Sequence, residues 1–303
     1  MTSDASARPP TIDHGWPRHL ISGLYRRPRL QLGLLLSAPM LWLVVAYLGS
    51  LALMFVAAFW RLDAFSGKID RSALSVANFV EILTTPVYRD VALRTTLMAA
   101  VVTVADAVIA FPVAYFMARV ASPRARGFLI VSITLPLWSG YLVKVYSWRL
   151  MLLPHGFLDS LLAPLGLSGP GLGDIAVWLV FTYLWLPYMV LPIYAGLEQI
   201  PHSLLEASSD LGARAAMTFR RVIVPLAIPA VVAGSIFTFS LTLGDYIVPG
   251  LVGTGTQFIG TIVYNNVGLA GDLPLAAAYS LAPVAVMVVY LLIARRAGAF
   301  QSL

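Results

Sequence analysis

The chain has no cysteine in its 303 residues and very little charge, with Asp, Glu, Lys and Arg at 11% against 59% hydrophobic residues. Without cysteine there are no disulfides, no thiolate metal ligands and no thiol chemistry. Soluble domains carry about 25% charged residues, so this composition excludes a water-soluble globule and requires an integral membrane protein. A transmembrane β-barrel would show roughly ten-residue alternating segments. Long uncharged runs stand in their place, so the expected spans are helices.

Catalytic motifs are also missing. No G-x-x-x-x-G-K-[ST] loop exists: the lone Gly67-Lys68 pair is followed by Ile69 and has Leu62 where the first glycine belongs. His14, His19, His155 and His202 are scattered over tail and loops, which argues against a metal centre. No Ser/His/Asp set or carboxylate pair recurs at helical spacing within an apolar run. No enzymatic activity and no cofactor are expected of this chain.

A bilayer core of about 30 Å takes roughly 20 apolar residues at 1.5 Å each. Six stretches meet or approach that length: 31–60, 95–118 (with one charge, Asp106), 128–146 (interrupted by Lys144), 175–197, 222–244 and 273–294. The first is too long for a signal peptide and lacks a small-residue cleavage site. Prolines 39, 112, 136, 187, 192, 229 and 283 lie inside the runs, where neighbouring helices cover the freed carbonyls. Orientation follows from Lys and Arg. One side collects Arg8, Arg18, Arg26, Arg27, Arg29, Arg119, Arg124, Arg126, Arg214, Arg220, Arg221, Arg295 and Arg296. The other holds Arg61, Lys68, Arg71, Arg89, Arg94, Lys144 and Arg149, partly offset by Asp63, Asp70, Glu81 and Asp90. Both termini are therefore expected in the cytoplasm, and topology accounts for the net charge of +6 without a nucleic-acid partner. The organisation expected is a polar N-terminal tail (1–30), a six-helix domain (31–297) and a short C-terminus (298–303). Segment 150–174 is expected at the outer interface, and Gly/Thr-rich 246–272 as a structured or half-inserted loop.

The most informative cytoplasmic segment, at about 198–225, lies between the fourth and fifth runs. Ser203 and Glu206 have the S-x-x-E spacing of a capping box, and Gly212 fits the C′ position that needs left-handed geometry, so a short helix is expected over 204–211. Its letters, Glu206-Ala207-Ser208, then Gly212, then Val222-x-Val224-Pro225, resemble the E-A-A…G…I-x-L-P loop of ABC-importer permeases, departing at Ser208. Phe111-Pro-Val-Ala-Tyr-Phe-Met-Ala-Arg119 is similar to that family's second-span ending. Leu135-Pro-Leu-Trp138-Ser-Gly-Tyr141-Leu-Val-Lys144-Val-Tyr146-Ser-Trp148-Arg149 and Leu241-Thr-Leu-Gly244-Asp245-Tyr246-Ile-Val-Pro249 are similar to the B-type permeases of spermidine/putrescine importers.

The resemblance spans about 33–296. It implies an all-α, six-helix permease of the type I importer fold (MetI-like) in a bacterial inner membrane. It further implies a second permease subunit, two ATPase subunits that bind ATP and Mg, and a periplasmic or lipid-anchored substrate-binding protein. The loop would dock on an ATPase through Ser203, Glu206, Ala207, Asp210, Gly212 and Arg220. The cargo implied is a polyamine. The alternatives are another small amine, such as an aminobutyrate or opine, or a secondary transporter working alone.

The residues themselves offer two candidate acids for the path. Asp106 falls near the bilayer midplane, where a carboxylate costs several kcal/mol unless paired or wet. Its helical face reads Ala99, Thr103, Asp106, Ala110, Val113, small enough for helix packing instead. Asp245 is expected near the outer mouth, next to Tyr246, with no Lys or Arg anywhere in 222–294. Carboxylate and aromatic rings together suit an ammonium group. Trp138, Tyr141, Trp148 and Tyr183 join it as candidates, although interfacial Trp and Tyr belt any membrane protein.

Overall fold

A computed structural model describes residues 28–63, 66–72 and 74–296. The expected tail, apart from its last three positions, and the segment 298–303 lie outside the described residues. Backbone contacts separate a first unit ending at Met54 from a second that begins at Phe55. The first unit is helical: α1 (Pro28–Trp42) passes through a π-helical turn, Leu43–Leu48, into α2 (Gly49–Ala57), which runs across the boundary.

The second unit opens with a two-residue hairpin, β1 (Arg61–Leu62) antiparallel to β2 (Ile69–Asp70), and helix α3 (Ala77–Thr84). Buried Asn78 donates to the carbonyls of Ala58 and Trp60 at 2.9 and 2.8 Å, tying α3 to the end of α2. The long helices follow: α4 (Pro86–Tyr115), continued by a π turn to Val120, α8 (Asp174–Gln199) and α11 (Val224–Gly244). Between α4 and α8 lie α5 (Pro123–Trp138), α6 (Tyr141–Leu152) and α7 (Phe157–Leu162). Between α8 and α11 lie α9 (His202–Asp210) and α10 (Ala215–Thr218). The chain closes with α12 (Ile247–Val252), α13 (Ile259–Asn265), α14 (Leu273–Tyr279) and α15 (Leu281–Arg296).

Five helical stretches among the described residues are long and apolar enough to cross a membrane. The sixth expected span is broken: α5 and α6 meet at 94°. The run 128–146, expected as one span interrupted by Lys144, is divided by the bend between Trp138 and Tyr141. Ser139 leaves the helix with ψ 147°, and the carbonyl of Pro136 accepts from the Ser139 hydroxyl (2.9 Å) and from the Lys144 ammonium (3.1 Å). Lys144 therefore caps the negative end of α5. Segment 246–272 folds as α12 and α13, with Val248, Val252, Phe258 and Ile259 buried.

α8 is the hub, packed against both α4 and α11. A Cβ at Gly196 would lie 2.3 Å from that of Ala230, and one at Gly234 would lie 2.8 Å from the Met189 sulfur. Lipid offers no hydrophobic drive between helices, so such close approach of small residues is what holds α8 on α11.

Candidate functional site

The cytoplasmic segment is built on α9. The helix starts one residue before Ser203, with Pro201 at the N-cap and no side-chain cap. The expected capping box does not form, because the proline already fixes the entry φ near −62° and carries Ser203 into the first turn. The far end behaves as expected. Gly212 has φ +76°, its N–H reaches the Ser209 carbonyl at 2.8 Å, and the Ala213 N–H reaches that of Ser208 at 3.1 Å. These two bonds are the pair that closes a Schellman turn.

One face of this segment is anchored. Leu205 and Phe219 pack on a cluster of Ala114, Met117, Leu197 and Ile223. Phe219 meets Phe111 and Tyr115 edge to face at 5.8 and 5.6 Å, and the Ser208 and Thr218 hydroxyls lie 2.8 Å apart. The opposite face is open: Ser203, Glu206, Ala207, Asp210, Gly212 and Arg220 are all exposed, as is Leu211 beside them. Ser203, Glu206, Ala207 and Asp210 stand on α9 and Gly212 closes it, whereas Arg220 is exposed in the π turn Phe219–Ile223 that leads into α11.

At the end of α11 remote from α9, Asp245 follows Gly244 directly. Its Oδ1 accepts the N–H groups of Ile247 (2.8 Å) and Val248 (2.9 Å), and its Oδ2 accepts the Tyr141 hydroxyl. The carboxylate opens α12 and ties it to α6. Expected as a bare acid, it has three neutral donors and no cation among the described residues. Tyr141 stacks on Trp185 (6.1 Å), and Trp148 packs on Tyr183 (5.3 Å). Trp138 is 92% exposed and joins neither pair.

Tyr246 stacks on Tyr264 at 4.8 Å and 12°. Beside this stack opens a cavity of about 550 Å³ whose polar walls are Tyr146, Tyr246, Tyr264, Gln257, Asn265 and Thr256, with no charged lining residue. Apolar Leu243, Ile259, Val263 and Val267 line a second space on its other flank. Sequence reasoning missed Tyr264, Gln257 and Asn265, since nothing in the Gly/Thr-rich loop singles them out before α13 folds back beside α12. Gly260 makes that return possible, because a Cβ there would lie 2.7 Å from the Asp245 carbonyl.

Asp106 lies on the face that packs against α8 and α11, with Ala99, Thr103 and Ala110 buried above and below it. It is fully buried, and neither carboxylate oxygen has a partner among the described residues. The Thr103 hydroxyl one turn away accepts from Thr238 of α11 at 3.3 Å. The structure joins Asp106 to none of the aromatic groups.

Residues 32–300 match the family described as the binding-protein-dependent transport system inner membrane component. The inner membrane ABC transporter permease protein YdcU of Escherichia coli K12 is 44% identical over 299 residues, covering 93% of this chain and 95% of the relative. The spermidine/putrescine transport system permease protein PotB of the same organism is 30% identical over 268 residues, covering 85% and 94%. Among solved structures, a chain of a bacterial ABC transporter that imports the acidic polysaccharide alginate superposes with a TM-score of 0.68 at 15% identity, covering 92% and 99%. A chain of the MetNI methionine ABC transporter gives 0.53 at 19% identity, covering 67% and 91%. With its broken third span, its anchored cytoplasmic helix and these relatives, the chain belongs to the family of ABC-importer inner-membrane permeases, with the all-α type I fold.

Proposed function

We propose that this chain forms half of the pore of an ATP-driven importer for small cationic amines, with spermidine and putrescine the first candidates. The observation that carries the amine reading is the composition of the outer cavity. Three tyrosine rings and the amides of Gln257 and Asn265 surround a space free of basic side chains, and its wall includes Ile247, whose N–H the Asp245 carboxylate accepts. Tyrosine faces attract an ammonium group within about 6 Å, and side-chain amide oxygens take its N–H donors. Similarity to PotB, whose name states spermidine and putrescine, supports the same class.

In this reading the substrate path is Asp245, Tyr246, Tyr141, Trp148 and Tyr183, extended by Tyr146 and Tyr264. Trp138 belongs to the interfacial belt. The coupling loop docks on a partner ATPase that binds ATP and Mg. A second permease completes the pore, a second ATPase serves it, and a periplasmic or lipid-anchored binding protein delivers the amine. Both termini face the cytoplasm. Another small organic cation fits the same cavity and stands as the second reading.

The test is uptake by the reconstituted complex, with the lone chain as control. Spermidine and putrescine uptake that depends on ATP and on the binding protein is expected, with none by the chain alone. Transport of anionic or neutral sugars in preference to amines would overturn the substrate class. Amine transport by the lone chain would overturn the ATP-driven mechanism.

A further inference from the structure

Two arginines that neither the coupling loop nor the aromatic cavity uses converge on the root of α9. Arg119 stands in the π turn that ends α4. Its Nη2 donates to the carbonyls of Leu197 (2.6 Å) and Ile200 (2.7 Å), the last turn of α8 and the residue after it. Arg126, in the first turns of α5, donates from Nε to the Met117 carbonyl (3.1 Å) and from Nη1 to Glu198 (3.0 Å). Pro201 and α9 begin immediately after Ile200.

The Leu197 carbonyl takes a long bond from the Ile200 N–H (3.3 Å), and that of Ile200, the residue after the helix, belongs to the group a helix end leaves without intrahelical partners. A guanidinium satisfies both at once with charge-assisted bonds and opposes the negative end of the helix dipole. The side chain is half-buried, and it follows directly on Met117 and Ala118 of the cluster that Leu205 and Phe219 pack against. Arg119 therefore fixes the point at which α9 leaves the bundle, and it does so from α4, not from α8.

We infer that Arg119 is the fulcrum of the coupling lever: a positioning residue that converts displacement of α9 into movement of the α4–α5 corner, with the Arg126–Glu198 pair as its exposed brace. Arg119 itself touches neither substrate nor ATPase. Apolar packing of Leu205 and Phe219 on Ala114 and Met117 presses the segment on α4 without fixing its direction, and the guanidinium adds the directional tie between the end of α4 and the root of α9. With the guanidinium in place, α4, α5 and α8 move at their cytoplasmic ends as one piece.

This inference rests on α9 being the ATPase-docking helix, so the experiment separates the two. The whole complex is reconstituted with Arg119→Gln, Arg119→Lys, Arg126→Gln and, as the reference for the docking role, Gly212→Val. Because the chain has no native cysteine, a spin label placed on exposed Ser209→Cys before assembly with the other subunits reports α9 alone. Arg119→Gln is expected to assemble and keep basal ATP hydrolysis, to lose at least tenfold in binding-protein-stimulated hydrolysis, and to raise the label's mobility. Arg119→Lys keeps the charge and a nitrogen with donors enough for both carbonyls, so it should recover at least part of the stimulation that Arg119→Gln loses. Arg126→Gln should fall by a few fold. Normal stimulation in Arg119→Gln while Gly212→Val loses it overturns the fulcrum and leaves the docking role standing. Normal stimulation in Gly212→Val overturns the docking role itself. Loss of assembly or of basal hydrolysis in both Arg119 variants, without a change in label mobility, makes Arg119 a folding residue and also overturns the inference.

Discussion

Replacing Asp245 by asparagine keeps the shape and removes the charge, and the geometry predicts its cost in two separable parts. The carboxylate accepts three hydrogen bonds, from Ile247, Val248 and Tyr141. Bonds to a charged group contribute about 1.5–3 kcal/mol each and neutral ones about 0.5–1.5 kcal/mol, so each retained bond weakens by about 1 kcal/mol. An asparagine oxygen can keep both backbone N–H groups, and its NH₂ then donates to a Tyr141 hydroxyl that must turn from donor to acceptor. The structural cost is therefore roughly 2–3 kcal/mol, felt as a lower melting temperature. If the carboxylate also meets an ammonium group, a further 1.5–3 kcal/mol, or about 10- to 150-fold, is lost from uptake.

Tyr141→Phe supplies the comparison, because it removes one of the three donors and leaves the charge. Its expected cost is about 1 kcal/mol of stability, with uptake held within a few fold of wild type. The two variants are compared by thermal melting of the purified complex and by spermidine uptake at subsaturating concentration. A melting loss in both with an uptake collapse in Asp245→Asn alone supports the ammonium contact. If uptake falls in the two variants in proportion to their melting losses, the carboxylate is a helix cap and nothing more.

Four other outcomes are expected. Gly212→Val forces a β-branched residue into left-handed geometry at roughly 1–2 kcal/mol. Its Cβ would meet nothing within 4 Å, so stimulated ATP hydrolysis should fall while assembly persists. Gly196→Ala should destabilise by about 1–3 kcal/mol through overpacking, and Ala230→Gly on the facing helix should recover most of it, as a melting double-mutant cycle will show. Asp106→Asn should leave amine uptake near wild type and raise or hold stability, since it removes a buried carboxylate that has no partner among the described residues; abolished uptake would move the amine site to the midplane. In the loop after α6, the N–H groups of Gly169 (2.9 Å) and His155 (3.1 Å) hold the Asp159 carboxyl below its usual range. That contribution is complete above a free aspartate's pKa of about 3.9 and fades as pH falls through the lowered value, so proteolysis of 153–170 should increase only in strong acid and be insensitive to pH in Asp159→Asn.

The spans were legible because membrane helices write themselves as length and absence of charge. The runs 175–197 and 222–244 foretell Asp174–Gln199 and the stretch ending at Gly244 to within a few residues. Gly212 was legible for a similar reason: only a left-handed residue closes a helix in that way, and φ there is +76°. What failed was local competition. Ser203 and Glu206 spell a capping box, but Pro201 occupies the N-cap two residues earlier, and letters three apart do not show which residue the backbone will admit first. The 94° break between α5 and α6 failed likewise. Proline 136 was visible, whereas its carbonyl's attraction for Lys144, eight residues on, exists only once the chain has bent.

The outer cavity marks the deeper limit. Tyr246 and Tyr264 are eighteen positions apart, and their stacking depends on α13 folding back beside α12, with Gly260 against the Asp245 carbonyl. The same carboxyl group whose oxygens cap α12 thus belongs to the residue on which α13 rests. Moving that carboxylate moves the wall of the cavity with it. A ligand drawn to Asp245 would pull on the cap of α12, on Tyr141 of α6 and through it on Trp185 of α8, the helix whose other end Arg119 holds beside α9. α8 and, packed on it, α11 thereby reach both ends of the proposed mechanism. Substitutions that loosen the packing of α8 on α11, Gly196→Ala above all, should uncouple amine binding from ATP hydrolysis before they abolish either one.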